Sequence, residues 1–165
     1  MIKGFINRFT PSSPKGFTLI ELLVVIAIIG ILAGIVLASL NSARSGAGDA
    51  KIQEQLSGMR TAMEIYYAGP GAGTYGASAA ADGCPAAGAD PTTAPWNHSA
   101  SGLLALSDQD NYPLGSTLLC TTSGSGWGAS ALLSTGSYFC VDSTGIARVQ
   151  AAAGVSATGP DVSCN

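Results

Sequence analysis

The sequence has few charged residues, one histidine and no closely spaced cysteine pair, and each shortage removes a class of function. Charged residues form 10% of the 165 positions, against about 25% in ordinary soluble domains. The net charge of −3 gives no general attraction to nucleic-acid phosphates. His98 is the single histidine and no CxxC pair occurs, so the usual zinc spacings are absent. We therefore expect neither an enzyme nor a nucleic-acid-binding protein, and no cofactor.

Asp108 and Asp110 are the one acidic pair that invites a calcium hypothesis. The sequence around them has no glycine-turned loop and no later glutamate of the EF-hand kind. We expect no metal site there.

Apolar residues are concentrated near the amino terminus. Only Thr18, Glu21 and Ser39 are polar between residues 17 and 40. As a helix, this run of 24 residues is about 36 Å long and spans a hydrocarbon core of about 30 Å. The first 16 residues contain three basic residues and no acid, so the positive-inside rule places them in the cytoplasm and the rest of the chain outside.

Hydropathy alone leaves two interpretations of this run open, a membrane anchor and a signal peptide removed near residues 38–43. The run is longer than the apolar core of about 7–15 residues in a signal peptide. It also contains a carboxylate, Glu21, and a charge within a membrane segment indicates a functional site by default. Both features favour the anchor.

The residues across the junction carry a specific resemblance. Lys15-Gly16-Phe17-Thr18-Leu19-Ile20-Glu21, followed by the aliphatic run, resembles the processing site of type IV prepilins and pseudopilins. The resemblance implies that a membrane prepilin peptidase cuts after Gly16 and methylates the new amino terminus at Phe17. It also implies that Glu21 acts in assembly, by pairing with the terminal amino group of a neighbouring subunit. We expect Glu21 to lack a partner until then.

Physical reasoning supports these roles. A glycine at position 16 gives a protease close access to an extended backbone. Gly30, Gly34 and Ala38 recur every four residues and place small side chains on one helix face, a pattern typical of close helix packing in membranes.

The sequence predicts that the helix continues to Ala68. Apolar residues step by four and three, as one amphipathic stripe must; they are Ile52, Leu56, Met59, Met63 and Tyr66. Gly46 and Gly48 each cost about 1 kcal/mol relative to alanine in a helix. We expect a weak point there, with Asp49 capping a restarted helix.

Residues 69–165 predict a head with a thin core. Gly, Ala, Ser and Thr supply more than half of its residues. Residues 69–95 have the composition of a long loop, and strands are predicted at 116–122, 136–142 and 145–150, the last two joined by a β-turn at 142–145. The charge of the head is −5, because Arg148 opposes six aspartates.

All four cysteines, Cys84, Cys120, Cys140 and Cys164, fall in this head. An even number confined to the exported part predicts two disulfides formed in an oxidising compartment. Three pairings are open. The disulfide-bounded region near the carboxyl end of many pilins favours Cys84–Cys120 with Cys140–Cys164.

The sequence thus predicts an α+β, pilin-like fold: a leader at 1–16, a long helix at 17–68 with its membrane-spanning part at 17–40, and a small antiparallel sheet head at 69–165. The resemblance implies a subunit stored in the inner membrane and then self-associated in an extracellular helical filament. Its partners would be the prepilin peptidase/methyltransferase, an assembly platform and an ATPase. The alternatives are a major pseudopilin of a type II secretion or DNA-uptake machine and, from another class, a monomeric anchored adhesin.

Overall fold

The computed structural model describes residues 16–76, 79–81, 84, 95–152, 155 and 162–164. The chain divides into two compact units, Met1–Asn41 and Ser42–Asn165. Each unit is described by itself below. The expected leader, apart from Gly16, lies outside the described residues, as does most of the expected loop at 69–95.

One helix, α1, runs from Leu19 to Ala68 and contributes to both units. In the first unit its large apolar side chains are all exposed, from 47% at Val25 to 75% at Leu19. Of the helices in the described part of the chain, α1 is the one long and apolar enough to cross a membrane. The long amino-terminal helix predicted from the sequence is confirmed.

The expected weak point in this helix is absent, because α1 continues without a break through Gly46 and Gly48. Gly48 lies beside Pro113, since a Cβ built there would be 3.4 Å from Pro113 Cγ, an ordinary contact distance. The expectation that Asp49 caps a restarted helix is wrong. Its carboxylate accepts hydrogen bonds from the backbone N–H and the hydroxyl of Ser134, at 2.8 and 2.7 Å.

The amphipathic stripe of α1 forms the core of the second unit, as predicted. Ile52, Leu56, Met59 and Met63 are each at most 1% exposed, and Tyr66 is 4% exposed. They pack in one cluster with buried residues of the sheet and its loops, among them Trp96, Leu103, Leu118, Trp127, Ala129, Ala131 and Val141. Two of these sheet residues, Ala129 and Ala131, are small, and Trp96 and Trp127 fill much of the remaining core.

The head contains a five-stranded antiparallel sheet whose spatial order follows the chain order. Its strands are β1 (Ala79–Ala81), β2 (Leu118–Ser123), β3 (Gly126–Leu132), β4 (Tyr138–Asp142) and β5 (Ala147–Gln150). A short helix, α2 (Leu103–Leu106), and 3-10 turns at Pro95–Asn97 and Gln109–Asn111 lie between β1 and β2. The predicted α+β class with an antiparallel sheet is confirmed.

The strand predictions were incomplete. The β4–β5 hairpin is confirmed, and its turn places Gly145 at a φ of 94°, a conformation that favours glycine. The central strand β3 was missed, because its sequence GWGASAL has no clear alternation of apolar and polar residues. Strand β1 lies in the segment expected to be a loop, so that expectation was wrong at residues 79–81.

The sheet is covered on both faces. Ala129 and Ala131 of β3 face the core with α1, and alternation along a strand turns Gly126 and Gly128 to the opposite face. A Cβ at Gly128 would lie 2.6 Å from Val155 Cγ1 and 2.8 Å from the carbonyl oxygen of Val162. The described residues of the carboxyl-terminal tail therefore pack against backbone that has no side chain.

Candidate functional site

The first candidate site is the start of α1. Gly16, Phe17 and Thr18 precede the helix, which begins at Leu19. No atom of the described residues lies within 4 Å of a Cβ built at Gly16, and the side chain of Phe17 is 82% exposed. The bond between residues 16 and 17 thus lies in accessible, non-helical backbone, the form that a protease requires.

Thr18 and Glu21 form a capping box, in which an N-cap residue and the third helical residue bind each other's backbone. One carboxylate oxygen of Glu21, Oε2, accepts hydrogen bonds from the N–H and the hydroxyl of Thr18, at 2.8 and 2.7 Å. Thr18 Oγ1 in turn accepts from the Glu21 N–H at 3.3 Å. The carboxylate also benefits from the positive end of the helix dipole.

The expectation that Glu21 has no partner before assembly is therefore wrong. Its partner in the single chain is Thr18, a residue whose role the sequence analysis missed. The signal was available, because Thr-x-x-Glu ahead of an apolar run is the sequence signature of a capping box. Glu21 helps to cap the helix to which it belongs. An assembly partner that binds its carboxylate must therefore replace the hydrogen bonds from Thr18 or bind in addition to them.

Gly30, Gly34 and Ala38 lie on one face of α1 by their spacing of four. Among the described residues, no atom lies within 4 Å of a Cβ built at Gly30 or Gly34, and Ala38 is exposed. The described part of the chain therefore does not cover this face, and its role in helix packing stays a prediction.

The second candidate site holds the ends of the head together. The structure has two disulfides, Cys84–Cys120 with Cα atoms 4.7 Å apart and Cys140–Cys164 with Cα atoms 5.8 Å apart. These are the pairs that the resemblance favoured. The first attaches residue 84 to β2, and the second attaches the carboxyl-terminal tail to β4.

Asp142, at the end of β4, is 1% exposed and joins the tail to the β4–β5 turn. Its Oδ2 accepts from the Cys164 N–H at 2.8 Å. Its Oδ1 accepts from the hydroxyl and N–H of Thr144 and from the Ile146 N–H. Burial by itself raises the pKa of this carboxyl, but the bonds from Cys164, Thr144 and Ile146 together hold the pKa below its ordinary value.

The amino-terminal geometry agrees with what comparison with known proteins finds. The model of the prokaryotic N-terminal methylation motif matches residues 12–37, a range that contains Gly16, Phe17, Glu21, Gly30 and Gly34. The chain carries the amino-terminal motif of the type IV pilin family. It is also similar to the type IV wide pilus major component PilA4 of Thermus thermophilus, with 48% identity over 52 residues.

That similarity covers 32% of this chain and 40% of the pilin from Thermus. The chain thus matches less than half the length of this relative. No solved structure matches the chain. The match to the methylation-motif family is confined to residues 12–37, and the description of the head rests on its own geometry.

Proposed function

We propose that this chain is the structural subunit of a type IV pilus-like extracellular filament. The observation that carries the proposal is the start of α1: an accessible Gly16–Phe17 bond, a capped Glu21 and an apolar helical segment exposed along its whole length. An apolar surface of this extent needs either lipid or other apolar helices around it. The membrane supplies lipid before assembly, and the filament core supplies other apolar helices after it.

The proposed order of events begins in the inner membrane. Residues 1–16 form a cytoplasmic leader, residues 17–40 span the membrane, and the head at 69–165 lies outside. A prepilin peptidase cuts after Gly16 and methylates Phe17. An assembly platform driven by a separate ATPase then extracts the subunit into the filament.

The free energy of assembly includes that of moving the apolar helix from lipid into a core of other helices. An apolar helix gains little hydrophobic free energy by leaving lipid, because lipid tails are as apolar as its own side chains. Close packing along Gly30, Gly34 and Ala38 and a new charge pair supply the preference for the filament. In the pair, the Glu21 carboxylate binds the terminal amino group of Phe17 in a neighbouring subunit.

The experiment that tests this proposal is mass spectrometry of the mature chain together with electron microscopy of sheared surface material. The expected amino terminus is N-methylated Phe17, and the sheared material should contain filaments of this chain. Gly16→Leu should abolish maturation, because the added side chain hinders access to the scissile bond. Gly4→Leu, in the same leader, is the matched control and should mature normally.

Other outcomes identify the alternatives. An amino terminus within residues 38–47 would show a signal peptide and contradict the proposal. A methylated Phe17 with no filaments of this chain would favour the anchored monomeric adhesin. Filaments made only together with a secretion or DNA-uptake machine would favour a major pseudopilin.

A further inference from the structure

A groove of about 490 Å³ lies on one flank of α1 in the head. Its walls are α1 residues between 57 and 64, Trp127 of β3 and the β4–β5 turn. Four of its side chains carry charge or a buried donor: Arg60, Glu64, Trp127 and Asp142. The volume falls in the range of binding sites for small groups.

Two of these four groups are already used by the chain itself. Glu64 Oε1 accepts a hydrogen bond from the Tyr75 hydroxyl at 2.9 Å, and burial together with this carboxylate raises the pKa of Tyr75 to about 12. Both oxygens of Asp142 are occupied by the turn and the tail. The uncommitted groups are the Arg60 guanidinium and the Trp127 indole N–H, and both are donors.

Arg60 differs from the other basic residues in the described part of the second unit. Arg44, Lys51 and Arg148 are exposed to solvent, whereas Arg60 is half-buried. No acidic group among the described residues forms an ion pair with it. A partly desolvated guanidinium without an acceptor is costly, because protein has replaced some of its water without returning a hydrogen bond.

Trp127 is a second residue of this groove, and it has a donor that no described residue satisfies. Its side chain is 1% exposed, and its Nε1 is buried without a hydrogen-bond partner. Buried donors in native proteins are almost always satisfied. Arg60 and Trp127 line the same groove, and the Arg60 guanidinium, which is only half-buried, is open to an anionic oxygen that enters the groove.

We propose that this groove receives a carboxylate from a second copy of the chain, and that the carboxylate is that of Asp110. The proposal rests on the filament function above and names one contact between its heads. Asp110 is exposed, and no described group is bound to its carboxylate. Asp108, by contrast, uses Oδ1 to accept from the Asp110 N–H at 3.0 Å.

The loop that carries Asp110 is braced on both sides of it. Gln109 bonds the backbone of Ser116 and Leu118, at 2.9 and 2.8 Å. Asn111 Nδ2 donates to the carbonyl of Ala105 at 2.8 Å. A carboxylate held on a braced loop loses little freedom on binding, and this lowers the cost of association.

Asp110 and the groove lie on different flanks of α1. The loop is joined to the helix where Gln55 Nε2 donates to the carbonyl of Asn111. Residues 55 and 60 are about 140° apart around a helix axis. A contact between two different patches is heterologous, so each copy can bind one neighbour by its loop and another by its groove, and repetition gives an open helical array.

The test is zero-length carbodiimide coupling in assembled filaments of full-length Arg60→Lys. The carboxylate adds to the carbodiimide and forms an activated ester. The introduced lysine amine then attacks the acyl carbon, an amide forms, and the carbodiimide leaves as a urea. The expected product joins residue 60 to Asp110, and filaments grown from mixed light and heavy isotope subunits should show that the amide joins two copies. Arg148→Lys, an exposed base outside the groove, is the matched control and should give no amide to Asp110.

Charge reversal gives the second measurement. Arg60→Glu and Asp110→Arg should each lower the yield of sheared filaments by about tenfold, and the double variant should recover most of it. Asp108→Asn, which keeps a good N-cap residue beside Asp110, should leave yield and coupling unchanged.

The outcomes separate this inference from the proposed function. Filaments that form with no amide to Asp110, or with an amide from residue 60 to Glu54 instead, overturn the inference and leave the pilus function standing. Normal yield for Arg60→Glu also overturns it. A wild-type chain that forms no filaments overturns the proposed function, and with it this contact.

Discussion

The two units of this protein share helix α1 but differ in where its large apolar side chains lie. From Phe17 to Leu40, every large apolar side chain is at least 47% exposed, and the sequence contains little else. Beyond Ser42, the buried face of α1 has five large residues between 0 and 4% exposed, packed against a sheet in which large residues such as Trp127 lie beside alanines. The first unit has apolar surface without a core, and the second buries large apolar side chains in one core.

The difference shows where each unit obtains its stability. In the apolar half of α1, the backbone groups form their hydrogen bonds within the helix. This half therefore needs only an apolar environment, which lipid or other helices provide. The head has less apolar area to bury, so it adds two disulfides, a buried carboxylate and a packed tail. Changes at the helix start should therefore affect assembly, and changes to the disulfides, to Asp142 or to the packed tail should affect folding.

The largest expected effect is the loss of filaments when Glu21 is changed. Glu21→Ala removes both the capping box and the charge, whereas Glu21→Gln keeps a capping partner for Thr18 and removes only the charge. We expect both variants to insert and mature, and both to yield at least about tenfold fewer filaments, because neither can pair with an amino group. Membrane-fraction and sheared-filament amounts are the measurement.

The glutamine variant is what sharpens the comparison. Normal filament yield with Glu21→Gln and loss with Glu21→Ala would mean that the capping box, and not the charge pair, is what assembly needs. Reduced insertion of either variant would contradict the separation between helix start and membrane anchoring.

The next effect is confined to the head. Reduction of both disulfides in the full-length chain in detergent should lower the free energy of unfolding of the head by about 2–5 kcal/mol for each disulfide. All four thiols should be blocked to alkylation before reduction and free after it. The helicity of the apolar segment should survive reduction, since no cysteine lies in it. Free thiols in assembled filaments would contradict the oxidised head.

A smaller effect is expected where the tail packs on β3. Gly128→Ala should destabilise the head by about 1–3 kcal/mol, because the new Cβ would overlap Val155 and the backbone of Val162. Gly124→Ala, in the adjacent turn, is the matched control, since its Cβ would meet nothing within 4 Å. Thermal unfolding compares the two variants, and equal midpoints would mean that the tail does not pack there in solution.

The smallest effect is the dependence of stability on pH through Asp142. The pKa of this carboxyl is lowered in the folded chain, so its contribution to stability is fully present above the ordinary pKa of about 4 and is lost as the pH falls through the folded-state pKa. Wild type should therefore lose its advantage over Asp142→Asn below about pH 4. A constant difference in unfolding midpoint between pH 7 and pH 2 would contradict this role.

Much of the fold follows from local pattern. The stepping of Ile52, Leu56 and Met59 predicted the buried face of α1, and the Asp-Ser-Thr-Gly turn predicted the β4–β5 hairpin. Strand β3 could not be predicted, because a strand of glycine, alanine and serine owes its place to the neighbours that pair with it. Helix continuity through Gly46 and Gly48 was not predicted either, because two glycines in one helical turn indicate a break by propensity alone.

The candidate sites divide in the same way. The motif around Gly16, Phe17 and Glu21 is contiguous, so it can be recognised without a structure. The capping box within it could also be predicted from the sequence. The groove at Arg60 was not predictable, because its other donor, Trp127, stands 67 positions away in the sequence and meets it only in the folded head.

The sequence by itself determined the membrane-length helix, the processing motif, the acidic and disulfide-bonded head and the buried stripe of α1. These depend on periodicity and composition, which are local properties of the chain. Tertiary structure decided the partner of Asp49, the glycine surface on which the tail packs, the four bonds to Asp142 and the groove beside Arg60. Those arrangements depend on which distant residues share a surface, and in a head built of small side chains many packings share one composition.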